Sequence, residues 1–444
     1  MSTCNTSDAM KSAPGSGFHL MAKPVGPLCN LDCSYCFYLE KESLYEARHR
    51  FRMSDTALEA YVRSYIESQP TPEVEFTWQG GEPTLMGVEF FEKAVALQRR
   101  YRNGKNIRNT LQTNGTLLDD RWGAFLAAEG FLVGISLDGP RELHDQTRYD
   151  KQGRSSFDDT MRGLGVLQRF NVPFNVLVTV SDAVSRKPLT VYRFLKDLGV
   201  RHIQFNPVVE RVPCAEEKVI GLHFAAPPEF SRSPTVRKAV EQALEVSTQS
   251  VVAEAWGDFL IAIYDEWVRN DVGDVHVMNF EWALAAWCQC PATVCLFSER
   301  CGRAAIVEHD GSVYSCDHFM YPEYRLGNLQ EGSAATLLTS AQQQAFGNAK
   351  SDSLPGVCRR CEYRFACHGE CPKNRFTVSI DGEPGLNYLC AGYLKYFRHI
   401  TQTMNAMAKL LAHGQQAALI KEAFKGPLLV KLASRRQESQ SDRP

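Results

Sequence analysis

"CNLDCSYCFY", residues 29–38, sets Cys29, Cys33 and Cys36 at spacings of four and three among aromatic side chains. Thiols this close together are metal ligands, a redox pair with a bystander, or ordinary buried thiols. A closed tetrahedral zinc site wants four ligands, so three is one short. Three thiolates do suffice for three corners of a cubane [4Fe-4S] cluster, leaving the fourth iron open to an outside ligand.

Around this stretch the sequence alternates strand and helix. Short β-branched or aromatic runs ended by turn residues recur at "FHLMAKP" from Phe18, "VEFTWQGGEP" from Val74, "IRNTLQTNG" from Ile107, "FLVGISLDGP" from Phe131, "VPFNVLVTVS" from Val172 and "HIQFNPVVE" from His202. Amphipathic helical patterns separate them, such as "SDTALEAYVRSYIES" with Ser54 as N-cap, and "EFFEKAVALQRRYR" from Glu89. Six such repeats predict an α/β fold with a parallel sheet or partial barrel. Chemistry then gathers at the C-terminal ends of the strands, where the three-cysteine loop and the Gly-rich turns fall.

The 444 residues, 44% of them hydrophobic, can bury one large core or two to three smaller ones. With 49 basic against 51 acidic residues, no global field recruits nucleic acid or anionic lipid. No run reaches the roughly 18 apolar residues of a membrane span. The polar start "MSTCNTSDAMKSAPGSG" lacks the apolar stretch of a secretory signal. A cytoplasmic location is therefore expected, where the 15 cysteines stay reduced and argue for metal rather than disulfides. The expected organisation is a disordered segment at 1–17, an α/β unit at 18–240, a helical linker at 241–290, a cysteine-rich domain at 291–400, and a C-terminal helix with a charged tail at 401–444.

Ten of the twelve other cysteines fall between Cys288 and Cys390. By themselves Cys358, Cys361, Cys367 and Cys371 read as a four-cysteine zinc ribbon. Adding Cys295, Cys301, Cys316 and Cys390 gives eight thiolates, enough to ligate two further [4Fe-4S] clusters fully. Cys4, Cys214, Cys288 and Cys290 are left over and read as spare thiols.

The C-x3-C-x2-C pattern, with an aromatic residue before its last cysteine, resembles the signature of the radical S-adenosylmethionine enzymes. The resemblance implies a radical SAM partial (β/α)6 barrel in which Cys29, Cys33 and Cys36 hold the open cluster, S-adenosylmethionine chelates the free iron, and Tyr35 touches the adenine. "QGGEPTL" at 79–85 looks like that family's GGEP motif, with Gly80 and Gly81 admitting close backbone approach and Glu82 meeting the cofactor's ammonium group. "SLDGP" and "HDQTR" supply Ser136 and Arg148 as further cofactor contacts, Arg148 toward a carboxylate, and Val209 follows at the last strand end.

The later pattern, C-x5-C-x14-C, then C-x2-C-x5-C-x3-C, then a late cysteine, resembles the SPASM extension of peptide-modifying radical enzymes. It implies one auxiliary cluster on Cys295, Cys301, Cys316 and Cys371 and another on Cys358, Cys361, Cys367 and Cys390, three [4Fe-4S] clusters in all. From about Pro24 to about Tyr396 the chain is similar to the anaerobic sulfatase-maturating enzymes, in which an aspartate directly after the third cysteine of that pattern, here Asp317 in "CDHF", is the catalytic base. That resemblance implies oxidation of a serine or cysteine in a nascent or unfolded sulfatase to Cα-formylglycine, with a low-potential electron donor such as flavodoxin or ferredoxin. Two other functions fit the cysteines: a SPASM enzyme forming a thioether or carbon-carbon crosslink, and a zinc-stabilised peptide-binding scaffold without redox chemistry.

Overall fold

A computed structural model describes residues 17–45, 51–219, 222–228 and 245–425. The segment expected to be disordered before Gly17 and the charged tail after Lys425 lie outside the described residues. Strands β1 (His19–Lys23), β2 (Glu73–Trp78), β3 (Asn106–Thr113), β4 (Leu132–Ser136), β5 (Phe174–Val180) and β6 (His202–Pro207) fall on the six expected runs. They pair in chain order and all in parallel, as expected of the parallel α/β fold. A parallel sheet is covered on both faces, and four consecutive residues of β4 are accordingly buried. The helix Asp55–Ser68 starts on Ser54, whose side chain accepts from the Ala57 amide. Its Tyr61 and Tyr65 hydroxyls donate to the carbonyls of Leu20 and Glu75, fastening the helix to β1 and β2.

Four more strands extend the sheet to ten. On one edge β7 (His276–Val277) lies beside β6, between the helices Ala253–Asn270 and Met278–Trp287. On the other edge β8 (Ala304–Glu308) runs parallel to β1 in unbroken register from His19↔Ala304 to Lys23↔Glu308. The antiparallel strands β9 (Ser312–Tyr314) and β10 (Arg325–Asn328) complete that edge. The cysteine-rich part is thus hydrogen-bonded into the α/β sheet, and β9, which leads into Cys316 and Asp317, lies two strands from β1.

A helix from Cys390 to Ala412 runs across the expected boundary at 400 and packs on Ala253–Asn270. The two approach so closely that a Cβ on Gly392 would meet the Ala253 carbonyl oxygen at 1.9 Å. This contact fixes Cys390 at the first turn of its helix. Gly392→Ala should force the helices apart and cost about 1–3 kcal/mol, read as a lowered midpoint in anaerobic chemical denaturation.

Candidate active site

The site is built on backbone contacts between loops at the strand ends. Leaving β2, the Gln79, Gly81 and Glu82 amides donate to the carbonyls of Ala22, Gly26 and Leu28 at 2.8–2.9 Å. A Cβ on Gly81 would stand 2.0 Å from the Leu28 oxygen, so only glycine fits there. The far side of the cysteine loop is held by the Asp32 and Ser34 amides, which donate to the carbonyls of Tyr149 and Thr147. Cys29, Cys33 and Cys36 are caught between these two supports. Burial is the main reason all three thiols are pushed up, Cys33 to about 12, while Arg148 pulls Cys33 and Cys36 back. Such thiols become thiolates when a metal replaces their protons.

Other expected cofactor contacts surround this loop. Glu82 is buried and already accepts from Thr84, Thr113 and the Asn114 amide; Oε1 takes three of these bonds and Oε2 only the one from Asn114. Its main work is to clamp the GGEP loop to the end of β3, leaving Oε2 capacity for an ammonium donor. Ser136 Oγ accepts from Gln112 at 3.1 Å. Arg148 was expected to meet a ligand's carboxylate, but its Nε donates to Asp138 at 2.7 Å, and Nη2 reaches Thr179. Asp138 also accepts from the Tyr35 hydroxyl at 2.7 Å and the Thr179 amide. This fully buried carboxylate went unnoticed inside "SLDGP", although an aspartate in a strand-end turn is a readable signal. Val209 is buried after β6, and its carbonyl accepts from Lys373.

Asp317 comes to the same region. Its Oδ1 lies 2.5 Å from Nζ of Lys23, the buried last residue of β1, and otherwise has no hydrogen-bond partner. Burial alone would raise the Asp317 carboxyl, but Lys23, His318 and Lys373 together hold it below the usual carboxylate range. Phe37, next to Cys36, packs on His318 with ring centroids 5.1 Å apart, tying the cysteine loop to the segment that carries Asp317. Lys23 was missed because a lysine at a strand end reads as a solvated terminus.

The later cysteines gather in two places. Cys295, Cys301, Cys316 and Cys371 line one cavity. Cys371 Sγ also lies 3.6 Å from His318 Nδ1. Cys358 is pushed up to about 11 by burial and then by its neighbours Cys390 and Cys361, and Cys367 to about 12 by burial, Cys390 and Cys358. Cys358 is thus near Cys390 and Cys361, and Cys367 near Cys390 and Cys358. Among the described residues no three His, Cys, Asp or Glu side chains close around a single-ion position. Cys288 and Cys290 do not line the cavity.

Residues 24–205 match the radical SAM superfamily, and residues 295–362 match the iron-sulfur cluster-binding domain family SPASM. The chain is 44% identical over 407 residues to a serine-type anaerobic sulfatase-maturating enzyme of Bacteroides thetaiotaomicron, covering 92% of this chain and 95% of that one. A cysteine-type enzyme of Clostridium perfringens is 31% identical over 86% of this chain and 95% of its own. Among solved structures, native anSMEcpe with bound AdoMet and Cp18Cys peptide superposes with a TM-score of 0.74 at 29% identity, covering 88% of this chain and 98% of that chain. Streptococcus suis SuiB bound to S-adenosylmethionine, at 12% identity and a TM-score of 0.55 over 85% of this chain and 77% of its own, shares the fold alone. Fold and site together define a radical SAM enzyme with a SPASM domain. The chain belongs to the anaerobic sulfatase-maturating enzymes.

The Asp138 network makes a checkable claim. Asp138→Asn leaves the buried Arg148 cation without its countercharge, and the loss expected for breaking such a pair is about 3–5 kcal/mol, measured by denaturation of the metal-free protein.

Proposed function

We propose that this enzyme oxidises a serine in a sulfatase active-site motif to Cα-formylglycine, acting on the unfolded or nascent sulfatase in the cytoplasm. The observation that carries this reading is Asp317, a carboxylate that Lys23 holds through Oδ1 and keeps below the usual carboxylate range, tied through Phe37 and His318 to the three-cysteine loop. The 44% identity to a serine-type relative favours serine over cysteine as target. In this proposal residues 18–240 form the radical domain, 241–290 a linker and 291–400 the auxiliary-cluster domain, with 401–444 as C-terminal helix and tail.

Cys29, Cys33 and Cys36 would hold an open [4Fe-4S] cluster, and the sets Cys295/Cys301/Cys316/Cys371 and Cys358/Cys361/Cys367/Cys390 one closed cluster each. Four thiols lining one cavity, together with the match to an iron-sulfur cluster-binding domain family, favour clusters over the zinc of a binding scaffold. Gly80, Gly81, Glu82, Ser136, Tyr35, Arg148 and Val209 would line the S-adenosylmethionine site. S-adenosylmethionine and the clusters, supplied with electrons by a flavodoxin or ferredoxin, would provide the one-electron chemistry that removes hydrogen from the substrate Cβ and takes up the second electron.

The chain's own part is proton transfer and positioning. A carboxylate near pKa 4 cannot usefully deprotonate a serine hydroxyl in its ground state. Once Cβ has lost its hydrogen, the hydroxyl is more acidic and the carbonyl begins to form as the proton leaves, so Asp317 has a feasible task within hydrogen-bond reach. Lys23 keeps the carboxylate ionised and ready to accept.

Incubated anaerobically with a serine peptide of the sulfatase motif, the enzyme should yield a product lighter by about two mass units that reacts with hydrazines, as oxidation to an aldehyde requires. A crosslinked product without a carbonyl would reject the reading. Asp317→Asn should keep cleaving S-adenosylmethionine yet lose roughly 10²–10⁴-fold in aldehyde formation, the usual weight of a general base; wild-type rates of both products would assign the base elsewhere.

A further inference from the structure

We propose that Lys350 and Arg375 are the built-in countercharge of the two auxiliary cluster sites and set the potentials at which those clusters take up an electron. The inference rests on the ligand assignment above. It starts from the loop joining Cys367 of one thiol set to Cys371 of the other. Its three inner residues, His368, Gly369 and Glu370, all have positive φ, at 46°, 74° and 54°. For residues with a Cβ this conformation is sterically unfavourable, so the turn needs compensation.

The compensation is one guanidinium. The carbonyls of His368, Gly369 and Glu370 accept from Arg375 Nη2 at 2.7 Å, Nε at 2.8 Å and Nη2 at 3.2 Å. The Lys350 carbonyl takes Nη1 at 2.6 Å. A Cβ on Gly369 would come within 2.5 Å of Nη2, so the glycine makes room for the cation. Lys350 is itself fully buried, with Nζ donating to the carbonyls of Cys295 and Leu296 at 2.7 Å.

Neither cation has a carboxylate within ion-pair distance among the described residues. The buried Glu370 spends Oε2 on the amides of Asn374 and Asn387. Two buried cations without a paired anion are costly unless something else answers their charge. The thiols do so. Arg375 binds all three carbonyls of the turn between Cys367 and Cys371, hence stands beside both sets, and Lys350 holds the Cys295 carbonyl of the first. Four thiolates outweigh the charge of an iron-sulfide core, so each loaded site is a net anion that becomes more negative on reduction. A buried cation beside it favours the reduced form and raises the potential.

The test is a redox titration of the iron-loaded enzyme, followed by electron paramagnetic resonance. Arg375→Gln should lower both auxiliary potentials, and Lys350→Met only that of the Cys295/Cys301/Cys316/Cys371 site, each by at least about 59 mV, a tenfold change for a one-electron couple. The open cluster should not move, and the charge-keeping Arg375→Lys and Lys350→Arg should stay near wild type. If the charge-removing variants fail to load iron while the charge-keeping ones load fully, the dependence on charge still supports the inference. Unchanged potentials in all four, or equal iron loss from charge-keeping and charge-removing variants, would overturn it. Wild-type enzyme holding well under about twelve irons would instead overturn the ligand assignment.

Discussion

The contact between the Gly81 backbone and the Leu28 carbonyl sets the position of everything that acts in this enzyme. Where other residues would carry a Cβ, the loop after β2 lies flat against the strand-end segment that enters the cysteine loop. That loop is braced from its other side by residues 147–149, and Glu82 in turn grips the end of β3. From the cysteine loop, Phe37 reaches His318, and His318 reaches Cys371. Segments hundreds of residues apart thereby meet, and the three-cysteine loop is linked through His318, the neighbour of Asp317, to Cys371.

Charge is placed with the same economy. Most buried cations near the site have a buried or half-buried carboxylate: Arg148 has Asp138, Lys23 has Asp317, and Lys373 has Glu210. Lys350 and Arg375 depart from this pattern, and they do so beside the thiols. Burial holds those thiols protonated without metal, so loading iron exchanges protons for metal and couples cluster assembly to folding.

Much of this was legible in the sequence because it is local. Each of the six strands is a short apolar run ended by turn residues, and Ser54 announces its helix. The joining of β8 to β1 was not legible, since it pairs residues 19–23 with 304–308 and neither run names its partner. The cavity lined by Cys295, Cys301, Cys316 and Cys371 joins thiols that the spacing alone leaves far apart in the chain. Partners that satisfy buried charge stayed hidden: nothing in the sequence pairs Lys23 with Asp317 or Asp138 with Arg148, and Arg148 read as a residue waiting for a ligand. Sequence spacing carries the positions of ligating side chains far better than it carries the identity of countercharges, which depends on tertiary approach.

In the proposed reaction a radical formed over the three-cysteine loop acts on the Cβ of a serine held beside Asp317, and isotope from a sulfatase-motif peptide carrying two deuterons on the target serine Cβ follows that step. Deuterium should appear in the 5'-deoxyadenosine formed, with one deuteron kept in the aldehyde product. Aldehyde formed alongside unlabelled 5'-deoxyadenosine would rule that hydrogen transfer out.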